Sequence, residues 1–291
     1  GSRKFLSDGT EIIRDEIIKN KKSVVIAGTS GKTTTASIIA WVLHRSGLKP
    51  TVFVGGIIKN IDSGFINGTG EYVIIEGDEY NSSFYDSCPK FLHYRPYHTV
   101  ITNVQLDHLD IYGNIENIFQ AFKKLVKLIP SSGSLVLNKN NSYTTVLSQE
   151  SKTKVITFGE KGNLGAKNIN YNPAGISFEL FNNPKKLGNI RSPLLGNHNV
   201  ENILAAIAVA LNIKIPLSKI SSAIADFQGV KRRLEIIYQK HNITIIDDFA
   251  HNPEKVQASL SALKKHFPKH HIIAIFEPRT GSSRRKFFQN I

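Results

Sequence analysis

Methionine is missing altogether from these 291 residues, and cysteine and tryptophan occur once each. A single thiol, Cys88, excludes a disulfide framework and suits a reducing compartment. It reads as a semi-buried small residue. No apolar run approaches the ~18 residues that a membrane-spanning helix needs, and no secretory leader is visible at the start. Acidic residues are the scarcer charge, with 23 Asp and Glu against 37 Lys and Arg, for a net +14. The basic residues are dispersed in short groups, such as Lys185-Lys186 and Arg284-Arg285-Lys286, with no aromatic-interleaved stripe. That pattern reads as a solvated basic surface, with polyanionic small molecules as the next choice of partner. It argues against a nucleic-acid binder. What remains is a globular chain, 41% hydrophobic and long enough for about two domains. The missing methionine and the leading Gly1-Ser2 read as a piece of a longer protein.

The segment that carries most chemistry is Gly28-Thr29-Ser30-Gly31-Lys32-Thr33-Thr34-Thr35, directly behind the apolar run Ser23-Val24-Val25-Ile26-Ala27. A short buried strand, a glycine-punctuated turn and a helix start make a phosphate cradle. The amides of the turn and the positive end of the helix dipole face an anion there. Lys32, expected in an exposed loop, can reach terminal phosphates, and the Thr33 hydroxyl can ligate Mg²⁺. The general pattern asks for a glycine five positions before Gly31, where this chain has Ile26. The plainer alternative is a Gly-Thr-rich turn before an ordinary helix. Thr33 to Thr35 followed by Ala36, Ile38, Ile39, Trp41, Val42 and Leu43 reads as an amphipathic helix ended by Gly47, the context the motif requires. Binding of ATP or GTP is therefore expected.

From residue 23 to about 180, apolar runs alternate with helical patterns, which predicts an α/β fold with a mostly parallel sheet. Strands are predicted at 23–27, 51–54, 72–75, 99–102, 134–137 and 154–157, and helices at 33–45 and 114–128. Residues 166–181 alternate as a strand pair around the turn signal Asn172-Pro173-Ala174-Gly175. Two further helices follow, at 200–211 and 218–227. After Gly229 a strand at 243–246, a helix at 253–266 and a strand at 272–276 predict the βαβ opening of a Rossmann-like domain. The boundaries read as 1–22 for the tail of a preceding domain or its linker, 23–229 for a P-loop-type central ATP-binding domain, and 230–291 for a partial C-terminal domain.

Five further segments carry polar chemistry. Glu76-Gly77-Asp78-Glu79 sits at the C-terminal end of a buried strand, where open α/β sheets bind ligands. Crowded carboxylates there invite a cation such as Mg²⁺, although an acidic loop in solvent is the alternative. Asn103-Val104-Gln105-Leu106-Asp107-His108-Leu109-Asp110, just after a predicted strand, flanks a histidine with carboxylates, as a metal ligand or as a structural histidine. Gly196-Asn197-His198-Asn199-Val200-Glu201-Asn202 opens an alanine-rich helix with groups suited to a base edge, or simply caps it. Lys231-Arg232-Arg233-Leu234-Glu235 and Asp247-Asp248-Phe249-Ala250-His251-Asn252-Pro253 lie at the predicted domain junction, where ligands are often gripped. A solvated linker and a capped helix start are the alternatives for those two.

Taken together, the ordered segments resemble the Mur ligase family over roughly residues 23–289. The resemblance implies an ATP-dependent ligase that forms a C–N bond in peptidoglycan metabolism through an acyl phosphate, with ATP and Mg²⁺ as cofactors. It implies that Gly28, Thr29, Ser30, Gly31, Lys32, Thr33 and Thr34 bind ATP phosphates, and that Thr33, Glu76 and His108 hold Mg²⁺. His198, Asn199 and Asn202 would take the adenine side, and Arg233 and Asp248 would reach ATP from the junction. Lys32, Glu76, His108 and Arg233 would carry catalysis. Tyr80-Asn81-Ser82-Ser83-Phe84-Tyr85-Asp86 and Phe276-Glu277-Pro278-Arg279-Thr280 resemble the murein peptide ligase branch. That branch joins UDP-N-acetylmuramate to L-alanyl-γ-D-glutamyl-meso-diaminopimelate in peptidoglycan recycling. The alternatives are the branch that adds L-alanine to the same acceptor and a catalytically inactive P-loop module. A monomer in the cytoplasm, acting on small molecules and on neither nucleic acid nor membrane, is expected. Ser30 stands where this branch usually has histidine, and Asn252 replaces a second histidine.

Overall fold

The computed structural model describes residues 9–82, 86, 88–105, 112–251 and 253–277. The segment Asp107–Asp110 with His108, residues Ser83–Tyr85, Asn252 and the stretch from Pro278 onward lie outside the described residues. The described residues open on α1 (Gly9–Ile12), which continues as a wider helical turn over Ile13–Ile18. It then alternates strand and helix through β1 (Lys22–Ala27), α2 (Lys32–Arg45), β2 (Thr51–Ile58), β3 (Ser63–Ile66), β4 (Tyr72–Gly77) and β5 (Pro96–Ile101). Next come α3 (Ile115–Lys127), β6 (Ser134–Asn138), α4 (Ser142–Leu147) and β7 (Lys154–Phe158). A meander of β8 (Leu164–Asn172), β9 (Gly175–Asn182) and β10 (Lys185–Ser192) precedes α5 (Asn197–Asn212) and α6 (Leu217–Asp226).

These strands form one ten-stranded sheet in the order β10-β9-β8-β7-β6-β5-β1-β4-β2-β3. The pairings from β2 to β7 across β4, β1, β5 and β6 are parallel, the mostly parallel α/β class expected from the alternation of strands and helices. Apolar residues on both faces explain why. Along β1, Val24 and Ile26 pack with α2 and α5, while Val25 and Ala27 pack with α3 and Phe91. A strand buried on both sides belongs inside a parallel sheet with helices on each face. Asn114 starts α3 by accepting the Asn117 N–H, and the apolar stripe of that helix faces the sheet as the periodicity predicts.

Several elements went beyond or against the sequence reading. β3 and β10 are edge strands whose sequences carry little alternation. β10 holds two lysines and a glycine, so its strand character comes from pairing with β9. After α6, β11 (Glu235–Lys240) and β12 (Ile243–Asp247) pair antiparallel, followed by α7 (Pro253–His266). The strand read at 272–276 joins neither sheet among the described residues, and Ile273 and Ile275 stand exposed. Alternating apolar residues form a strand only where a backbone edge and a core receive them. Here neither does.

Phe122 on α3 is 1% exposed and stacks on Phe91 with ring centroids 5.4 Å apart. We expect Phe122→Ala to destabilise the chain by about 3–5 kcal/mol, read as a lower urea midpoint at unchanged slope. A loss below about 1 kcal/mol would place this ring pair outside the core.

Candidate functional site

Three loops leave the sheet side by side because β1 lies between β4 and β5, with Ala27 opposite Gly77 and Ile101. The loop after β1 is tight. Gly28 has φ 127°, and a Cβ there would lie 2.1 Å from Thr102 Oγ1. Gly31 has φ 83°, and its Cβ would lie 2.6 Å from Asn202 Oδ1. Only glycine fits both positions. Asn103 grips Ser30 from β5's end: its Oδ1 accepts the Ser30 N–H at 3.0 Å and its Nδ2 donates to Ser30 Oγ at 2.8 Å. Thr102 Oγ1 donates to the Ser30 carbonyl at 2.6 Å. Among the described residues no side chain caps α2, so its first-turn amides are the donors a helix start offers an anion.

Lys32 is the first residue of α2 rather than a residue of an exposed loop, and its side chain is only 12% exposed. The turn at Gly31 starts the helix one residue earlier than the sequence pattern indicates and draws the ammonium inward. Its Nζ donates to the Gly28 carbonyl at 2.9 Å and pairs with Glu79 Oε2 at 2.7 Å, with Asp78 Oδ1 at 4.0 Å. Burial pushes the Asp78 carboxyl above its ordinary value, opposed by Lys32 and reinforced by Glu76 and Glu79. Glu76 is clasped from two sides: Thr33 Oγ1 donates to Oε1 at 2.7 Å and the Gly55 N–H to Oε2 at 2.7 Å. A hydroxyl and a carboxylate this close form a hard-oxygen pair. That fits Mg²⁺, which takes few protein oxygens and completes its shell with water and phosphate. Among the described residues, which leave out His108, no three His, Cys, Asp or Glu side chains converge as a metal cluster.

The opposite wall comes from α5 and from residues between Arg233 and Ser259. Asn202 accepts from Thr35 Oγ1 at 3.1 Å and donates to Asn199 at 2.8 Å, and Asn199 donates to the Leu195 carbonyl at 2.7 Å. This ladder ties α5 to α2. Burial pushes His198 below its ordinary value, and nearby Asp248 opposes the shift. Burial likewise lowers Arg233, opposed by the charges of Asp248 and Glu76, so its guanidinium faces the acidic side of the site. Asp248 is fixed by the Leu234 N–H at 3.1 Å and Ser259 Oγ at 2.5 Å. The Phe249 ring sits under both Arg232 and Arg233, each 5.1 Å from its centroid.

Thr29 through Thr34, Glu76, His198, Asn199, Asn202, Arg233 and Asp248 all line one cavity of about 390 Å³, with Gly28 anchoring the turn beneath. His108 lies outside the described residues. Thr102, Asn103, Asn138, Phe158, Glu201, His251 and Lys255 also line it and were not singled out as binding residues. Thr102, Asn103, Asn138 and Phe158 share one readable signal, a position at the C-terminal end of a predicted parallel strand. Glu201 and Asn103 lie inside segments quoted from the sequence, but local spacing gives neither of them a role. Glu201 accepts from Asn138 and Asn140 at 2.8 Å each.

The family model for the Mur ligase middle domain matches residues 26–210, and that for the Mur ligase glutamate ligase domain matches residues 232–291. Seven curated relatives at 35–38% identity are UDP-N-acetylmuramate–L-alanine ligases. That of Endomicrobium trichonymphae is 38% identical over 94% of this chain and 60% of the relative. A UDP-N-acetylmuramate–L-alanyl-γ-D-glutamyl-meso-2,6-diaminoheptandioate ligase of Escherichia coli (strain K12) is 32% identical over 94% of this chain and 60% of the relative. The crystal structure of the UDP-N-acetylmuramate–alanine ligase of Thermotoga maritima superposes with a TM-score of 0.77 at 30% identity, covering 88% of this chain and 57% of that one. The chain thus spans about 60% of the length of the curated relatives it matches. It belongs to the Mur ligase family.

Proposed function

We propose that this chain carries the ATP site of an amide-forming ligase that joins an amine to the carboxylate of UDP-N-acetylmuramate. The observation that carries the reading is the meeting of Lys32, Thr33 and Glu76 with Arg233 and Asp248 around a single cavity. L-Alanine is the amine we favour, supported by the seven L-alanine ligases at 35–38% identity. The tripeptide donor expected from Tyr80–Asp86 and Phe276–Thr280 has the weaker support of the 32% identical Escherichia coli enzyme, and stands as the second reading. Residues 23–229 would form the ATP-binding unit and 230–291 the start of the amine-presenting domain, with the acceptor held elsewhere in the full protein. The reading is completed by a cytoplasmic monomer that would act on small molecules.

The chemistry asked of the residues is mainly charge control and alignment, because ATP and the acceptor carboxylate are both anionic. Lys32, released by Glu79, would neutralise the terminal phosphates, and the first-turn amides of α2 would hold the others. Thr33 and Glu76, with His108, would hold Mg²⁺, which would screen phosphate charge when bound. Arg233 would stabilise charge developing on the phosphoryl group as the carboxylate becomes an acyl phosphate, and Phe249 keeps its guanidinium in place. Attack of the amine on that acyl carbon would then expel phosphate. Asn199, Asn202 and His198 would hold the adenine side, and Asp248 would reach the nucleotide from the second unit.

The test is phosphate release by the full-length protein with ATP, Mg²⁺ and UDP-N-acetylmuramate. Release with L-alanine but not with the tripeptide supports the reading, and the converse pattern establishes the second one. Silence with both donors overturns the ligase assignment. Lys32→Ala should lower turnover by about 10³-fold or more, and near-normal coupled ligation by that variant would remove Lys32 from the phosphate site. For Glu76→Gln, half-maximal activity should require several-fold more Mg²⁺. An unchanged Mg²⁺ titration would take Glu76 out of the metal's reach.

A further inference from the structure

The helix that brings His198, Asn199 and Asn202 to the cavity starts without a side-chain cap among the described residues. What holds its start comes from a distant part of the chain. Gly196, at φ 93°, donates its N–H to Nε2 of His266 at 2.8 Å. His266 is the last residue of α7 and is fully buried. Its Nδ1 lies 2.7 Å from the carbonyl oxygen of Asn172, at the end of β8. A backbone N–H only donates and a carbonyl only accepts, so the ring carries its proton on Nδ1 and a lone pair on Nε2. One neutral tautomer satisfies both bonds. The imidazolium would set an Nε2–H against the Gly196 N–H.

The surroundings fit that single state. Tyr171 meets the imidazole edge-on at 5.4 Å and donates its hydroxyl to Asn197 Oδ1 at 2.5 Å, so the same corner also fixes the first residue of α5. Ala262 of α7 closes the other side. A Cβ on Gly196 would lie 2.9 Å from Ala262 Cβ and 2.7 Å from the His198 ring. We propose that His266 is a positioning residue that locks α7 to the first turn of α5, so that the nucleotide-facing side chains of α5 and of the second unit are set in place together. This rests on the nucleotide reading of the cavity.

The titratable groups facing this corner are Tyr171 from β8, His198 from α5 and Lys265 on α7, whose ammonium lies 5.3 Å over the Tyr171 ring. Asp248, after β12, bears on His198. No carboxylate touches His266 among the described residues. Burial pushes His266 below its ordinary value, against the opposing bond to Asn172. The C-terminal end of α7 favours a cation, and burial outweighs it. A histidine whose folded pKa is depressed contributes its stability above its unfolded value of about 6.5 and loses it as pH falls below that value toward the folded one. The lock is therefore complete at neutral pH and loosens on acidification.

Two variants of the full chain separate the bonds. In His266→Gln the side-chain oxygen can replace Nε2 as acceptor for Gly196 and does not titrate. In His266→Asn the amide can replace Nδ1–H toward Asn172, and the Gly196 acceptor is lost. Hydrogen exchange of the amides from Gly196 to Asn202 is measured without nucleotide at pH 7 and pH 5.5, after correction for intrinsic rates. Binding of the non-hydrolysable β,γ-imido analogue of ATP is measured alongside. We expect His266→Asn to speed exchange at Gly196 and weaken the analogue by about tenfold. His266→Gln should stay near wild type at both pH values, and wild-type exchange should quicken at pH 5.5. Equal behaviour of the two variants overturns the lock, whether both match wild type or both lose stability alike. Failure of the wild type to bind the analogue would instead overturn the nucleotide reading, and the exchange data would still decide the lock.

Discussion

The position of β1 between β4 and β5 is the constraint on which the cavity depends. Ala27 pairs with Gly77 on one side and Ile101 on the other, so three loops leave the sheet at one level. Each loop brings a different chemistry: Lys32 and a glycine-shaped turn after β1, carboxylates along and after β4, and Thr102 with Asn103 after β5. Register matters as much as order. Ile74 packs with α2 in the core, and Glu76, two residues on, shares its face and so meets Thr33. A slip of one residue along β4 would swing Glu76 to the opposite face of the sheet. The apolar residues of β4 thus specify where its acid stands.

That placement creates an electrostatic problem which the site solves internally. Glu76, Asp78 and Glu79 lie within four consecutive positions, and Lys32 is the cation among them, paired to Glu79 and bonded to the Gly28 carbonyl. Removing one partner of a buried ion pair costs far more than the pair itself contributes, because the other charge is left desolvated. Glu79 therefore acts as an internal counterion wherever Lys32 lacks an external one. Any anion brought to this turn would have to offer Lys32 more than Glu79 does, and its charge would have to be screened from Asp78. Burial already raises Asp78, which lessens that repulsion.

The parallel strands were legible in the sequence because double-sided burial leaves apolar runs such as Ser23–Ala27 that no exposed strand would carry. The hairpin of β8 and β9 was legible through its turn, Asn172-Pro173-Ala174-Gly175. β10 was not, since Lys185-Lys186-Leu187-Gly188 gains strand geometry only from its neighbour. Within the site, the same asymmetry holds. Gly28, Gly31, Lys32 and Thr33 announce themselves by local spacing, because a glycine turn leading into a helix is a local structure. The roles of Asn103 and Glu201 do not: one acts by reaching Ser30 across 73 positions, the other by binding amides 61 and 63 positions away. The burial of Lys32 was missed for a related reason. Spacing shows a lysine at a turn, whereas its depth depends on the acids that β4 delivers.

The segment that follows Gly229 is joined to this platform by more than a tether. The Lys59 N–H donates to the Gly229 carbonyl at 3.0 Å, and the Lys231 N–H donates to the Ile57 carbonyl at 2.9 Å, so the connecting chain is stitched to the end of β2. Lys59 pairs with Glu235 at 3.1 Å and Lys231 with Asp62 at 2.6 Å across the same seam. Backbone freedom therefore resumes only after Lys231. There Arg232 and Leu234 adopt φ of 61° and 48°, a region costly for residues with a Cβ. Arg233 lies between these two residues, with its guanidinium over Phe249 and its charge facing Glu76. This strained step carries the guanidinium that, among the described residues, stacks on Phe249 and faces Glu76.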